Sequence, residues 1–301
     1  MSALLDRLRG ARIVLADGAW GSNFIAQGLD TARECADLWN VQHPGRVARL
    51  AAAYARSADI LTTNTFGASR ARLATSGLET LCESINMRGV ALAREGAALG
   101  NPDGPPPLIA GSIGPARDPR NTSVTEATLF TSYREQAALL AEAGADFILV
   151  ESMTSARDAA IALEAARAAC KLEIVCSFAF RAVDGRTYET WCGDSVETAL
   201  GAAINAGAAV VGANCAPATP SLLNLVETMR GCIGSGPIWL KPNAGQPVQH
   251  DGALRYPHPF EAANIEALLD ALGHGVFGGC CGTGPAAIAL IRDLLDRRNP
   301  G

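Results

Sequence analysis

Ala208-Ala209-Val210-Val211-Gly212-Ala213-Asn214-Cys215 is an unbroken run of small and β-branched apolar residues that ends in an amide and a thiol. It lacks the polar–apolar alternation of a half-exposed strand, so it reads as a strand buried on both faces, the habit of parallel sheets. Seven similar runs recur on either side of it, at 12–17, 58–64, 107–113, 145–151, 173–180, 237–242 and 274–280. Helical spacing fills the intervals at 44–57, 79–98, 125–143, 155–171, 195–206, 219–231, 260–272 and 284–297. Ser195 precedes a helical run with Glu197 in its first turn, and Thr219-Pro220 and Gly284-Pro285 put proline at first helical positions. Glycines 144, 207 and 273 stop helices just ahead of the next strand. Eight strand–helix units predict an α/β fold, a (β/α)8 TIM barrel in a single domain over residues 1–301. A doubly wound open sheet is the second choice.

Composition narrows the function classes. The chain of 301 residues is 49% hydrophobic and 18% charged, enough to build a large core. A formal net charge of −5 argues against a nucleic-acid binder. No window has the roughly 18 uninterrupted apolar residues of a membrane span. Residues 1–10 carry no export signal, and nine cysteines are an odd number, so the expectation is a cytoplasmic protein with free thiols.

Three of those thiols stand apart. Cys215 ends the sixth strand, and Cys280-Cys281 lie between glycines at the end of the eighth. Adjacent cysteines make a strained disulfide. In a closed barrel, strands six and eight are two spacings apart, roughly 10 Å. Three thiolates gathered there would hold Zn²⁺ and leave a fourth position open to substrate. Cys82, Cys170, Cys176 and Cys232 are expected to be small buried hydrophobes; Cys35 and Cys192 fall in loops. Gly278, Gly279 and Gly282 could instead cradle a phosphate, and vicinal thiols could make a non-catalytic zinc or thiol-redox binding protein.

Polar residues end the other strands on the same face. They are Asp17-Gly18, Thr63 with Asn64 and Thr65, Ser112, Glu151 and Asn243. Each alone fits a turn, a cap or an ion pair. Together they surround the thiols with hydrogen-bonding groups and a carboxylate able to receive an ammonium group. Residues 18–43 and 243–259 are long loops on this face and read as lids or binding loops. His43, His250, His258 and His274 lack metal-ligand spacing.

Several motifs resemble the homocysteine S-methyltransferase family over nearly the whole chain. They are Leu15-Ala16-Asp17-Gly18-Ala19-Trp20-Gly21, Thr62-Thr63-Asn64-Thr65-Phe66-Gly67-Ala68 and Gly111-Ser112-Ile113-Gly114-Pro115. Gly212-Ala213-Asn214-Cys215, Pro242-Asn243-Ala244-Gly245 and Gly278-Gly279-Cys280-Cys281-Gly282-Thr283 complete the set. The resemblance implies a zinc on Cys215, Cys280 and Cys281, with the homocysteine sulfur on the metal. It implies that the substrate's amino and carboxylate ends lie near Asp17-Gly18, Thr63 and Glu151, and that Asn243 fills the fourth zinc position before substrate arrives.

The methyl donor is less determined. The family's betaine branch carries tyrosines where this chain has Gly67 and Ser152. An aromatic cage would need Trp20, Trp39 or Phe66. The strand-two and strand-seven motifs are more similar to the homocysteine-binding module of cobalamin-dependent methionine synthase. No folate or corrinoid domain follows strand eight within these 301 residues. The expected donor is therefore a small free molecule, such as S-methylmethionine or betaine, or a methyl-corrinoid carried by a separate protein and fed by methyltetrahydrofolate.

Overall fold

A computed structural model describes residues 3–31, 33–117, 124–184, 186–217, 222–245, 248–250, 253–256 and 262–298. The eight expected strands are all there: β1 (Ile13–Leu15), β2 (Ile60–Thr62), β3 (Leu108–Ile113) and β4 (Phe147–Met153). They continue with β5 (Ile174–Phe178), β6 (Val210–Pro217), β7 (Ile238–Asn243) and β8 (Gly275–Phe277). All pair in parallel and in sequence order, and β8 pairs back onto β1 through Ile13–Gly275 and its neighbours. Between β1 and β2 a single parallel bridge, Ala16 to Ile60, continues the ring. The result is a (β/α)8 barrel, and the open sheet is set aside.

Eight helices surround the barrel: α1 (Pro44–Ala55), α2 (Cys82–Gly100), α3 (Glu126–Glu142) and α4 (Ala156–Ala169). The others are α5 (Val196–Asn205), α6 (Leu222–Ile233), α7 (Ala262–Leu272) and α8 (Pro285–Arg298). Their ends follow the local chemistry. Thr125, Ser155 and Ser195 accept backbone N–H groups of Thr128, Asp158 and Thr198 and so cap their helices. Gly144, Gly207 and Gly273 take positive φ at the stops. Thr219-Pro220 and His258 lie outside the described residues.

The barrel interior is filled rather than hollow. Val14, Ile60, Phe147, Leu149, Val175, Val210, Trp239 and Val276 meet inside it, with Phe147 and Trp239 edge to face at 6.1 Å. An N-terminal helix, Ala3–Gly10, packs Leu4 and Leu8 against this cluster. Its short amphipathic spacing went unassigned among the sequence expectations. So did two antiparallel hairpins after β5 and β7, 180–182 with 188–190 and 248–250 with 253–255.

Candidate active site

β6 and β8 are separated by β7, as expected, yet the sulfurs close the gap. Cys215 Sγ is 3.1 Å from Cys280 Sγ and 3.9 Å from Cys281 Sγ. All three sulfurs lie within 4.8 Å of one another. Two local distortions accomplish this. The segment after β8 folds over the end of β7, with Cys280 N–H donating to Pro242 O and Ala244 N–H to Cys281 O. In β6 the register slips between Asn214 and Pro217, and Cys215 adopts φ 58°. A non-glycine residue in the left-handed region is strained, and such strain concentrates at functional sites.

Ser152 is the other non-glycine residue at positive φ among the described residues, 57°, in the matching slip of β4. Asn214 holds both distortions. Its Oδ1 accepts from Ser152 N–H and Ser177 Oγ, each at 2.8 Å, and its Nδ2 donates to Ser152 Oγ at 2.6 Å. The same amide reaches Glu151 Oε2 at 3.3 Å.

The thiols lie on the wall of a cavity of about 250 Å³, which Gly18, Thr63, Ser112, Glu151 and Lys241 also line. Ser112 Oγ donates to Glu151 Oε1 at 2.5 Å, and Thr63 Oγ1 accepts the Ser112 N–H at 2.9 Å. Burial raises the Glu151 carboxyl to about 7 against the pull of Lys241, with Cys280 adding to the rise. Among the thiols, hydrogen bonds from Cys215 and Cys280 lower Cys281, to about 3. Hydrogen bonds to Cys280 and Cys281, then burial, raise Cys215. Three sulfurs within 4.8 Å of one another form a donor set that a cation would complete.

Asn243 sits beside the trio. Its Nδ2 donates to Cys215 O at 3.0 Å, and its buried Oδ1 has no partner among the described residues. An orphaned buried oxygen on a side chain tied to a cluster cysteine fits an additional metal donor. The Tyr256 hydroxyl also hydrogen-bonds Cys281; nothing in the spacing singled it out.

Asp17 is placed differently from the other ring residues. It is fully buried behind the cavity wall. Its Oδ2 accepts from Thr62 N–H at 2.8 Å, Thr62 Oγ1 at 2.9 Å and Trp20 Nε1 at 3.2 Å. Its Oδ1 accepts from Lys241 Nζ at 2.7 Å. Lys241 is a site residue absent from the sequence expectations, although one lysine in the buried run Ile238-Trp239-Leu240-Lys241 was a signal. Of the proposed aromatic residues, Trp20 and Phe66 line the cavity, while Trp39 is buried against Phe24.

One alternative is set aside and one expectation is corrected. The alternative of a glycine phosphate cradle loses its donors, because the N–H groups of these glycines are already used. Gly278 donates to Leu240 O, Gly279 to Asp17 O and Gly282 to Ser22 Oγ, each at 3.0 Å. Cys82 and Cys176 are buried as expected, but Cys232 is exposed and Cys170 half-buried, each near a helix C-terminus where packing thins.

The homocysteine S-methyltransferase family model matches residues 14–295. Methionine synthase of Mycobacterium tuberculosis is 32% identical over 299 residues, covering 96% of this chain and 25% of the relative. Methionine synthase of Mycobacterium leprae is 29% identical over 313 residues, covering 99% of this chain and 25% of that protein. The chain thus spans about a quarter of the length of these curated relatives. The metallated form of the homocysteine methyltransferase MmuM from Escherichia coli superposes with a TM-score of 0.79 at 22% identity, covering 96% of this chain and 98% of that one. That likeness is one of fold.

Proposed function

The chain belongs to the homocysteine S-methyltransferase family, and from that premise we propose that it methylates the thiol of L-homocysteine to give methionine, at a zinc held by Cys215, Cys280 and Cys281. The observation that carries this reading is the three-sulfur cluster on the wall of a cavity that also presents Glu151. Thiolate donors favour zinc among common ions, and the structural neighbour MmuM has a metallated form. Zinc bound there would deprotonate the substrate thiol while three thiolate ligands keep it electron-rich and nucleophilic.

The residues of the chain do the rest. Asn243, with its buried Oδ1 unpartnered among the described residues, would be a further oxygen donor to a metal held by the three thiols. Glu151, aligned by Ser112 and Asn214, receives the substrate ammonium. Gly18, Thr63 and Ser112 line the same cavity, and Asp17 acts from behind through Lys241. The homocysteine sulfur attacks the donor methyl carbon in line; the new C–S bond forms as the bond to the donor breaks, and fixed alignment lowers the barrier.

Either a small donor or a methyl-corrinoid on a separate protein fits the open side, where Phe66 is 44% exposed. Nine unpaired thiols fit a reducing cytoplasm, and no helix among the described residues is long and apolar enough to cross a membrane. The test is zinc analysis of reduced protein, followed by homocysteine with betaine, S-methylmethionine, S-adenosylmethionine or methylcobalamin. Methionine from at least one donor is expected. Absence of bound zinc, together with full retention of thiol-dependent properties in Cys215→Ser, would favour a protein without this chemistry.

A further inference from the structure

Lys241 is 3% exposed and charged, and it lines the cavity. A buried ammonium needs partners for its three N–H donors. Among the described residues its one hydrogen bond goes to Asp17 Oδ1, at 2.7 Å. Asp17 cannot turn to meet a ligand. Its oxygens are held by Thr62, Trp20 and Lys241, and it does not line the cavity. The pair is therefore a cation presented from a fixed anionic mount. Two carboxylates line the cavity among the described residues, Asp37 and Glu151; Asp37 accepts the Gly67 N–H, and Glu151, tied by Asn214 to the strand end that carries Cys215, is taken as the acceptor for a substrate ammonium.

Resting on the homocysteine reading above, we propose that Lys241 binds the carboxylate of the acceptor amino acid, that Asp17 is the positioning residue which aims it, and that this pair selects acceptors carrying a carboxylate. Thiol, ammonium and carboxylate then each have a separate anchor: the cysteine trio, Glu151 and Lys241. Three anchors on one carbon skeleton fix its orientation, and a resident ammonium rejects a ligand that places its own positive charge at Lys241.

Calorimetric binding to the zinc-loaded protein tests this, with three thiols as probes. L-Homocysteine has both charged groups, 4-sulfanylbutanoate has only the carboxylate, and 3-aminopropane-1-thiol has only the amine. Lys241→Met should weaken homocysteine and 4-sulfanylbutanoate by roughly 10- to 100-fold, the value of a hydrogen bond to a charged group. It should leave 3-aminopropane-1-thiol within about threefold. Because Lys241→Met strands Asp17 without its partner, the Asp17→Asn, Lys241→Met double variant removes both charges together and should show the same selectivity. An equal loss for all three thiols, or unchanged homocysteine binding, overturns the proposal. If the wild-type zinc protein binds no homocysteine at all, the acceptor assignment itself falls, and this proposal with it.

Discussion

Asn214 Oδ1 accepts the backbone N–H of Ser152 at 2.8 Å, joining the residue before Cys215 to the residue after Glu151. One amide thereby couples the strand end that carries Cys215 to the strand end that carries Glu151, and holds two residues with positive φ in place. Asn214→Ala should leave the Ser152 N–H unsatisfied and destabilise the fold by about 1–3 kcal/mol. Zinc affinity and homocysteine affinity should fall together. Urea denaturation and metal titration measure this; a variant with lowered stability but unaltered zinc affinity would separate the two ends again.

Cys280→Ala should abolish zinc binding and methyl transfer. The barrel interior is built from other residues, so the apo forms of wild type and variant should unfold within a few degrees of one another. Metal analysis and calorimetry check it. A variant that unfolds globally, or that still holds zinc, contradicts the assignment.

Glu151 titrates near 7 because burial disfavours its charge. The sign follows directly: below that pH the carboxyl is neutral and cannot pair with an ammonium. Homocysteine affinity should weaken as pH falls from 8 through 7, approaching tenfold per unit. In Glu151→Gln the affinity should be low throughout and lose this dependence, while zinc-driven proton release remains. Binding isotherms at several pH values decide; an unchanged profile in the variant removes Glu151 from the ammonium role.

Asp37 concerns stability. It lines the cavity at 6% exposure and accepts the Gly67 N–H at 2.8 Å. Burial raises its carboxyl from 3.8 to about 6. Between those values the unfolded chain has lost a proton that the folded chain keeps. Its contribution is therefore fully present below pH 3.8 and is lost as pH rises through about 6. The penalty beyond that point is about 3 kcal/mol. Asp37→Asn keeps an acceptor for Gly67 and removes the charge. It should stabilise the protein by about 1–3 kcal/mol at pH 8 and by almost nothing near pH 4, as read from urea midpoints. Equal stabilisation at both pH values would point to packing instead.

The barrel was legible because its signals are periodic. Every strand overlaps its apolar run, although β4, β6 and β7 continue past it to Met153, Pro217 and Asn243, and capping hydroxyls and stop glycines lie where local chemistry puts them. Cys215, Cys280 and Cys281 were legible because adjacent thiols flanked by glycine have few ordinary uses. Lys241 was only half legible: a lysine closing a buried apolar run is an anomaly, but its role needs the partner 224 residues away. The slips at Ser152 and Cys215 were also silent: both residues are ordinary there by type, and only tertiary hydrogen bonds select the positive φ. The hairpins at 180–190 and 248–255 have too few residues per strand to show a period.

Leu4 and Leu8 join Val14, Ile60 and Val276 in the filled interior of the barrel. With that interior closed by side chains, the homocysteine reading has acceptor and donor share the side of the cavity where Phe66 is exposed. It predicts an ordered sequence in which the acceptor binds first and methionine leaves last, and product-inhibition patterns check that order.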